Sequence, residues 1–147
     1  MQITGGCFCR EIKYEADIDP EIVAICHCTD CQINSGTAYG VVISIIDQNF
    51  CLIKGQLSFF QKIADSGARR DLAFCSACGT RIFSKPGDGS EGLFALRLGT
   101  VDQREDFTPK RQIFSKSALS SVVDVVGKTQ SELLNGTVLL NSLTNKL

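Results

Sequence analysis

Three thiols fall within six residues at Cys26-His27-Cys28-Thr29-Asp30-Cys31, and no other stretch limits so strongly what this chain can become. A cluster this dense can close on one metal ion from a single turn of backbone. It brings only three thiolates, so a tetrahedral zinc held there keeps its fourth position for water or substrate. Cys7-Phe8-Cys9 and Cys75-Ser76-Ala77-Cys78 add two thiols each, enough to enclose a second ion completely, and Cys51 is left over. An open position suits chemistry, whereas a closed one suits architecture. Spacing alone also admits a competing partition, in which Cys7 and Cys9 join Cys28 and Cys31.

Eight cysteines in 147 residues would fit a secreted disulfide scaffold. However, Met1-Gln2-Ile3-Thr4-Gly5-Gly6 has no basic start followed by an apolar run, so no signal peptide is expected and the location is read as cytoplasmic. In a reducing compartment, CxC and CxxC clusters are metal ligands or redox centres more often than structural disulfides. A chain of this length buries roughly 70% of its unfolded surface and needs no disulfide staples. No apolar run approaches the roughly 18 residues of a membrane helix. Fifteen basic and sixteen acidic residues are mixed along the chain, without the basic stripe of a nucleic-acid binder.

The apolar pattern predicts many short strands. Ile12–Ala16 alternates and leaves the Cys7/Cys9 turn, and Ile22–Ile25 feeds the Cys26 cluster. Tyr39–Ile45 is strongly β-forming, and the stretch from Phe50 to Ile63 reads as two strands broken at Lys54-Gly55. Arg69–Phe74, Arg81–Ser84, Leu93–Leu98 and Lys110–Ser115 complete the set. Gln32–Gly36 reads as a brief helical turn or loop. Ser66-Gly67 is a turn, and Lys85–Gly89 is a loop. Gly5-Gly6 reads as loose backbone. Gly79, directly after Cys78, suits a CxxCG knuckle, whose last position takes positive φ so that backbone amides can face the sulfurs. The fold class expected is therefore mainly β, with residues 1–127 as one zinc-binding domain and 128–147 as a tail with a short helix.

For Cys26, Cys28 and Cys31 three chemistries compete. One is an open zinc site that ionises a substrate thiol and presents it to an electrophile. Another is a second structural site, completed by His27 or a distant side chain. The third is a metal-free redox trio. His27, the only histidine, should point away from a metal faced by Cys26 and Cys28, because residues alternate along an extended segment. That gives it a supporting or surface role. Cys51, within an apolar strand pattern, reads as a small buried residue. Arg69, Arg70, Arg81 and Arg97 are equally at home on a substrate carboxylate or on a solvated strand face.

The cysteines and their flanks resemble the glutathione-dependent formaldehyde-activating enzyme family, which includes the domain of centromere protein V. The matching pieces are Gly6-Cys7-Phe8-Cys9 with Ile12-Lys13-Tyr14, Cys26-His27-Cys28-Thr29-Asp30-Cys31 with Ser35-Gly36, and Gly55-Gln56-Leu57 with Ser66-Gly67. They continue through Phe74-Cys75-Ser76-Ala77-Cys78-Gly79-Thr80, Leu98-Gly99-Thr100-Val101-Asp102, Pro109 and Ile113-Phe114-Ser115-Lys116-Ser117. The likeness spans about residues 3 to 120.

It implies a zinc-stabilised β-tent of short antiparallel strands, with Cys7, Cys9, Cys75 and Cys78 on a structural zinc and Cys26, Cys28 and Cys31 on a catalytic one. It also implies a carbon-sulfur lyase acting on a glutathione-like thiol and a small aldehyde such as formaldehyde. The rivals are a non-catalytic zinc-stabilised module that binds a thiol compound or a protein, and a thiol-redox enzyme using the trio. The chain departs from the family pattern at Arg10, where Gly is usual, and at Gln32 and Ile33, where basic residues are. It also offers Leu119 and Val122 where an aromatic is expected.

Overall fold

The computed structural model describes residues 1–90 and 92–121. The helix expected within 128–147 lies outside the described residues. Among the described residues, two sheets hold ten strands. The smaller contains β1 (Gln2–Gly6), β2 (Lys13–Asp17) and β5 (Phe50–Lys54) in the order β1-β2-β5. The larger contains β3 (Val23–Cys26), β4 (Gly40–Ile46), β6 (Ser58–Ile63), β7 (Arg69–Phe74), β8 (Arg81–Pro86), β9 (Leu93–Arg97) and β10 (Arg111–Ile113). Its order is β10-β3-β4-β9-β8-β7-β6. These strand pairs are antiparallel except β10, which lies parallel to β3 and sets Ile113 opposite Cys26. A single α-helix, α1 (Thr29–Ser35), interrupts the strands among the described residues. No helix there is long and apolar enough to cross a membrane.

Strand alternation divides the apolar residues between two cores. Ile3, Tyr14 and Ala16 of the small sheet meet Ile43, Ile45, Ala73, Phe83, Phe94 and Leu96 of the large one. An aromatic stack runs through this main core, with Tyr14 and Phe50 rings 5.1 Å apart, Phe50 and Phe83 5.1 Å, and Phe83 and Phe94 4.4 Å. The reverse face of the large sheet carries a smaller cluster of Ala24, Cys26, Cys31 and Val42 beneath α1. The cysteine trio therefore sits on its own face, across the sheet from the main core.

Three expectations change. Gly5-Gly6 is the end of β1, paired with Tyr14 and Lys13. Two glycines have low strand propensity, and the partner strand supplies what their own side chains cannot. Cys51 is exposed, because β5 is the outer strand of the small sheet and its Cys51-Leu52-Ile53 run lies on the rim. The loop expected from Lys85 starts later, since β8 continues to Pro86 through pairing with Arg70 and Asp71. Arg10 adopts φ 65, the left-handed backbone that favours glycine, the residue expected there from the resemblance.

Candidate metal centres

The β1–β2 turn presents Cys7 and Cys9, and the β7–β8 turn presents Cys75 and Cys78. All four Sγ atoms lie within 4.8 Å of one another. Cys7 and Cys9 Sγ are 3.5 Å apart, and Cys9 and Cys75 Sγ 3.7 Å. Four thiolates about 2.3 Å from one tetrahedral ion would be separated by about 3.8 Å, so the quartet has the dimensions of a closed thiolate site. The Ile12 amide donates to Cys7 Sγ at 3.2 Å. Gly79 takes φ 73, as the knuckle requires, and its N–H donates to the Cys75 carbonyl at 2.8 Å. Contacts with the Thr80 hydroxyl and backbone amide hold the Cys78 thiol down at about 5. Cys9 is pushed up to about 12: the Glu11 backbone pulls it down, but the surrounding thiols outweigh that pull.

Cys26 ends β3, Cys28 caps α1, and Cys31 lies in its first turn. Their Sγ atoms also fall within 4.8 Å of one another, with Cys26 and Cys28 3.5 Å apart. The helix starts here because the Cys28 sulfur accepts the Cys31 amide at 3.3 Å, doing the work of an N-cap oxygen. Among the described residues no histidine, cysteine, aspartate or glutamate joins this group as a fourth ligand. Cys7 and Cys9 meet Cys75 and Cys78 rather than Cys28 and Cys31, so the competing partition is not the one the chain adopts. Thiol donors at these separations suit a soft or borderline ion such as zinc at both places.

Charge around the trio is asymmetric. Cys31 is lowered to about 2, through contacts from the Cys26 and Cys28 thiols and then the nearby Arg97 charge, whose Nη1 donates to Cys31 Sγ at 3.2 Å. Cys26 moves up in compensation, driven by its Cys28 and Cys31 contacts. A Cβ on Gly40 would lie 2.7 Å from Arg97 Nη1 and 3.3 Å from Cys31 Cβ, so a larger residue at that position would push on the Arg97–Cys31 contact.

Arg81 reaches the same face through a bulge. The register runs Ala73↔Phe83 and then Phe74↔Arg81, skipping Ile82. Ile82 and Phe83 therefore both enter the main core. Arg81 turns to α1, where its Nη1 donates to Asn34 Oδ1. Lys62 of β6 pairs with Asp30 of α1. Sequence left Arg81, Arg97 and Gly40 indistinguishable from ordinary strand residues; only the bulge and the strand order gather them.

His27 takes no part in the trio. It is 1% exposed, its Nε2 lies 2.6 Å from Gln112 Oε1, and its backbone N–H donates to the Ile113 carbonyl at 3.0 Å. The expected direction, away from the cysteines, agrees with this geometry, while a surface position does not, because β10 covers the ring. Gln32 donates from Nε2 to the carbonyls of His27 at 2.7 Å and Ser117 at 2.8 Å, buckling the trio loop to the segment after β10. Arg69 and Arg70 are on β7, and Arg70 is held by the Ser84 carbonyl at 3.2 Å.

Residues 2–117 match the glutathione-dependent formaldehyde-activating enzyme family. The fold is similar to the crystal structure of a Rhodobacter sphaeroides protein from structural genomics. That likeness has TM-score 0.58 and 14% identity, and covers 75% of this chain and 99% of that one. No curated protein matches the sequence. A match over residues 2–117, most of the chain, places this protein in the glutathione-dependent formaldehyde-activating enzyme family.

Proposed function

We propose that the chain adds a glutathione-like thiol to formaldehyde or a similar small aldehyde, as a carbon-sulfur lyase working in the synthetic direction. The observation that carries this reading is the three-sulfur group at α1, which lacks a fourth protein ligand among the described residues beside a four-sulfur group that is complete. Family membership supports the choice of thiol and aldehyde. Cys7, Cys9, Cys75 and Cys78 would hold a structural zinc, and Cys26, Cys28 and Cys31 a second one with an exchangeable position.

When bound at the trio, zinc supplies the Lewis acidity that keeps a thiol ionised near neutral pH. The chain's own groups do the rest. Cys26, Cys28 and Cys31 fix where the substrate sulfur sits, and Arg97 offsets the negative charge that collects on the sulfurs. Burial of Cys26 and Cys31 keeps water from that side. A carbon–sulfur bond forms, the carbonyl π pair moves to oxygen, and the proton lost by the thiol is regained at that oxygen. Unpaired thiols throughout suit a reducing, cytoplasmic setting.

Exchange NMR on glutathione and formaldehyde gives the test. With the zinc-loaded protein, hemithioacetal exchange should run faster than the spontaneous reaction, and Cys28→Ser should return it to the spontaneous rate. An unaccelerated rate with both zinc sites loaded would remove the catalytic reading and leave a thiol-binding module.

A further inference from the structure

Arg81 carries an unmet demand. Its Nη1 is used by Asn34, but Nε and Nη2 are buried and have no hydrogen-bond partner among the described residues. A buried donor left without an acceptor is destabilising, more so when the group is charged. Nε and Nη2 are moreover the two parallel donors of the guanidinium edge, the fork that grips a carboxylate bidentately.

A second cation makes the demand larger. Arg97 stands close enough that its charge, after burial itself, disfavours the charged form of Arg81. Neither arginine forms an ion pair with a carboxylate among the described residues, whereas Lys62 of β6 has Asp30. Arg97 points its Nη1 at Cys31 Sγ, and Arg81 is pinned to Asn34, three residues further along α1 and on the same side of the helix. Three residues of helix rise roughly 4.5 Å, so the two guanidiniums mark out a short path leading away from the trio.

We propose that the Nε–Nη2 edge of Arg81, with Arg97 beside it, is a carboxylate-binding subsite next to Cys26, Cys28 and Cys31, so that the preferred thiol is an acidic one. The inference rests on the thiol-addition reading and narrows its substrate class to thiols that carry a carboxylate within reach of Arg81 when sulfur is at the trio. An anion there completes the fork and separates two like charges at once, which a water molecule or a neutral amide does not. Arg81 as a whole is only partly buried, so its side chain is not sealed from an entering ligand.

The test uses the full-length zinc-loaded protein with 3-mercaptopropionate, its methyl ester, and propionate. By calorimetry the acid should bind at least tenfold more tightly than the ester. Arg81→Lys, which keeps the charge but removes the fork, should erase most of that preference while the ester's affinity stays within twofold. Propionate alone should shift the Arg81 Nε–H resonance in a 1H–15N spectrum, a readout independent of turnover. Equal affinity for acid and ester in the wild type, or an Arg81 resonance unmoved by propionate, overturns the proposal. If neither thiol binds while propionate still moves Arg81, the thiol-addition reading fails and the carboxylate subsite stands.

Discussion

Gly40 leaves the space in which Arg97 meets Cys31. A methyl group at that position displaces the end of the Arg97 side chain, which can move, and crowds Cys31 Cβ, which cannot move as easily. Groups that hydrogen-bond to metal ligands are worth about 10- to 100-fold in metal affinity. Gly40→Ala and Arg97→Gln should each weaken zinc binding at the trio by about tenfold in a chelator competition, with the far-ultraviolet spectrum unchanged. Unaltered affinity in both would mean that the Arg97–Cys31 contact does nothing for the metal. Arg10 poses the converse case, a side chain where the backbone favours none. A left-handed non-glycine residue costs about 1–2 kcal/mol, and the exposed Arg10–Asp102 pair at 3.4 Å returns at most about 1. Arg10→Gly should therefore raise the urea midpoint, or at worst leave it unchanged; a clear fall would contradict the backbone assignment.

Elements with their own periodicity are legible in the sequence alone. The strands around Tyr39–Ile45 and Arg69–Phe74, and the positive φ at Gly79, follow from alternation and from what a CxxCG turn demands. The seven cysteines assemble into four and three because each half of the quartet lies in a tight turn between paired strands. What stays hidden depends on partners. β1 forms through β2, Cys51 is exposed because β5 lies at an edge, and Arg81 faces α1 because of a skipped residue in β8. None of these is a property of a local window. At this scale Tyr14 connects the small sheet to the site: its hydroxyl meets Thr100 Oγ1 at 2.8 Å, and Thr100 in turn donates to the Arg97 carbonyl at 2.8 Å. Tyr14→Phe keeps the ring in the main core but leaves Thr100 a partner short, so it should cost about 1 kcal/mol in denaturant unfolding. A neutral result would show that the hydroxyl chain carries no load.

Across the whole molecule the two cysteine groups occupy separate places in the fold. The quartet ties residues near the N-terminus to the β7–β8 turn, closing the small sheet onto the large one. Zinc affinities of about 10–16 kcal/mol rival the roughly 5–15 kcal/mol stability of a domain, so Cys75→Ser should abolish cooperative folding, whereas Cys28→Ser should leave it intact. The trio instead lies across the sheet from the main core, on a small apolar cluster of its own, where loss of a ligand leaves the larger core untouched. An ion at the trio is proposed to keep one exchangeable position. This is tested most directly by loading both groups with cobalt and titrating in a thiol while following the sulfur-to-cobalt charge-transfer band. A saturable rise worth one added thiolate per chain is expected, absent in Cys28→Ser. A spectrum that shows two fully ligated cobalts from the start, and does not respond to thiol, would contradict it.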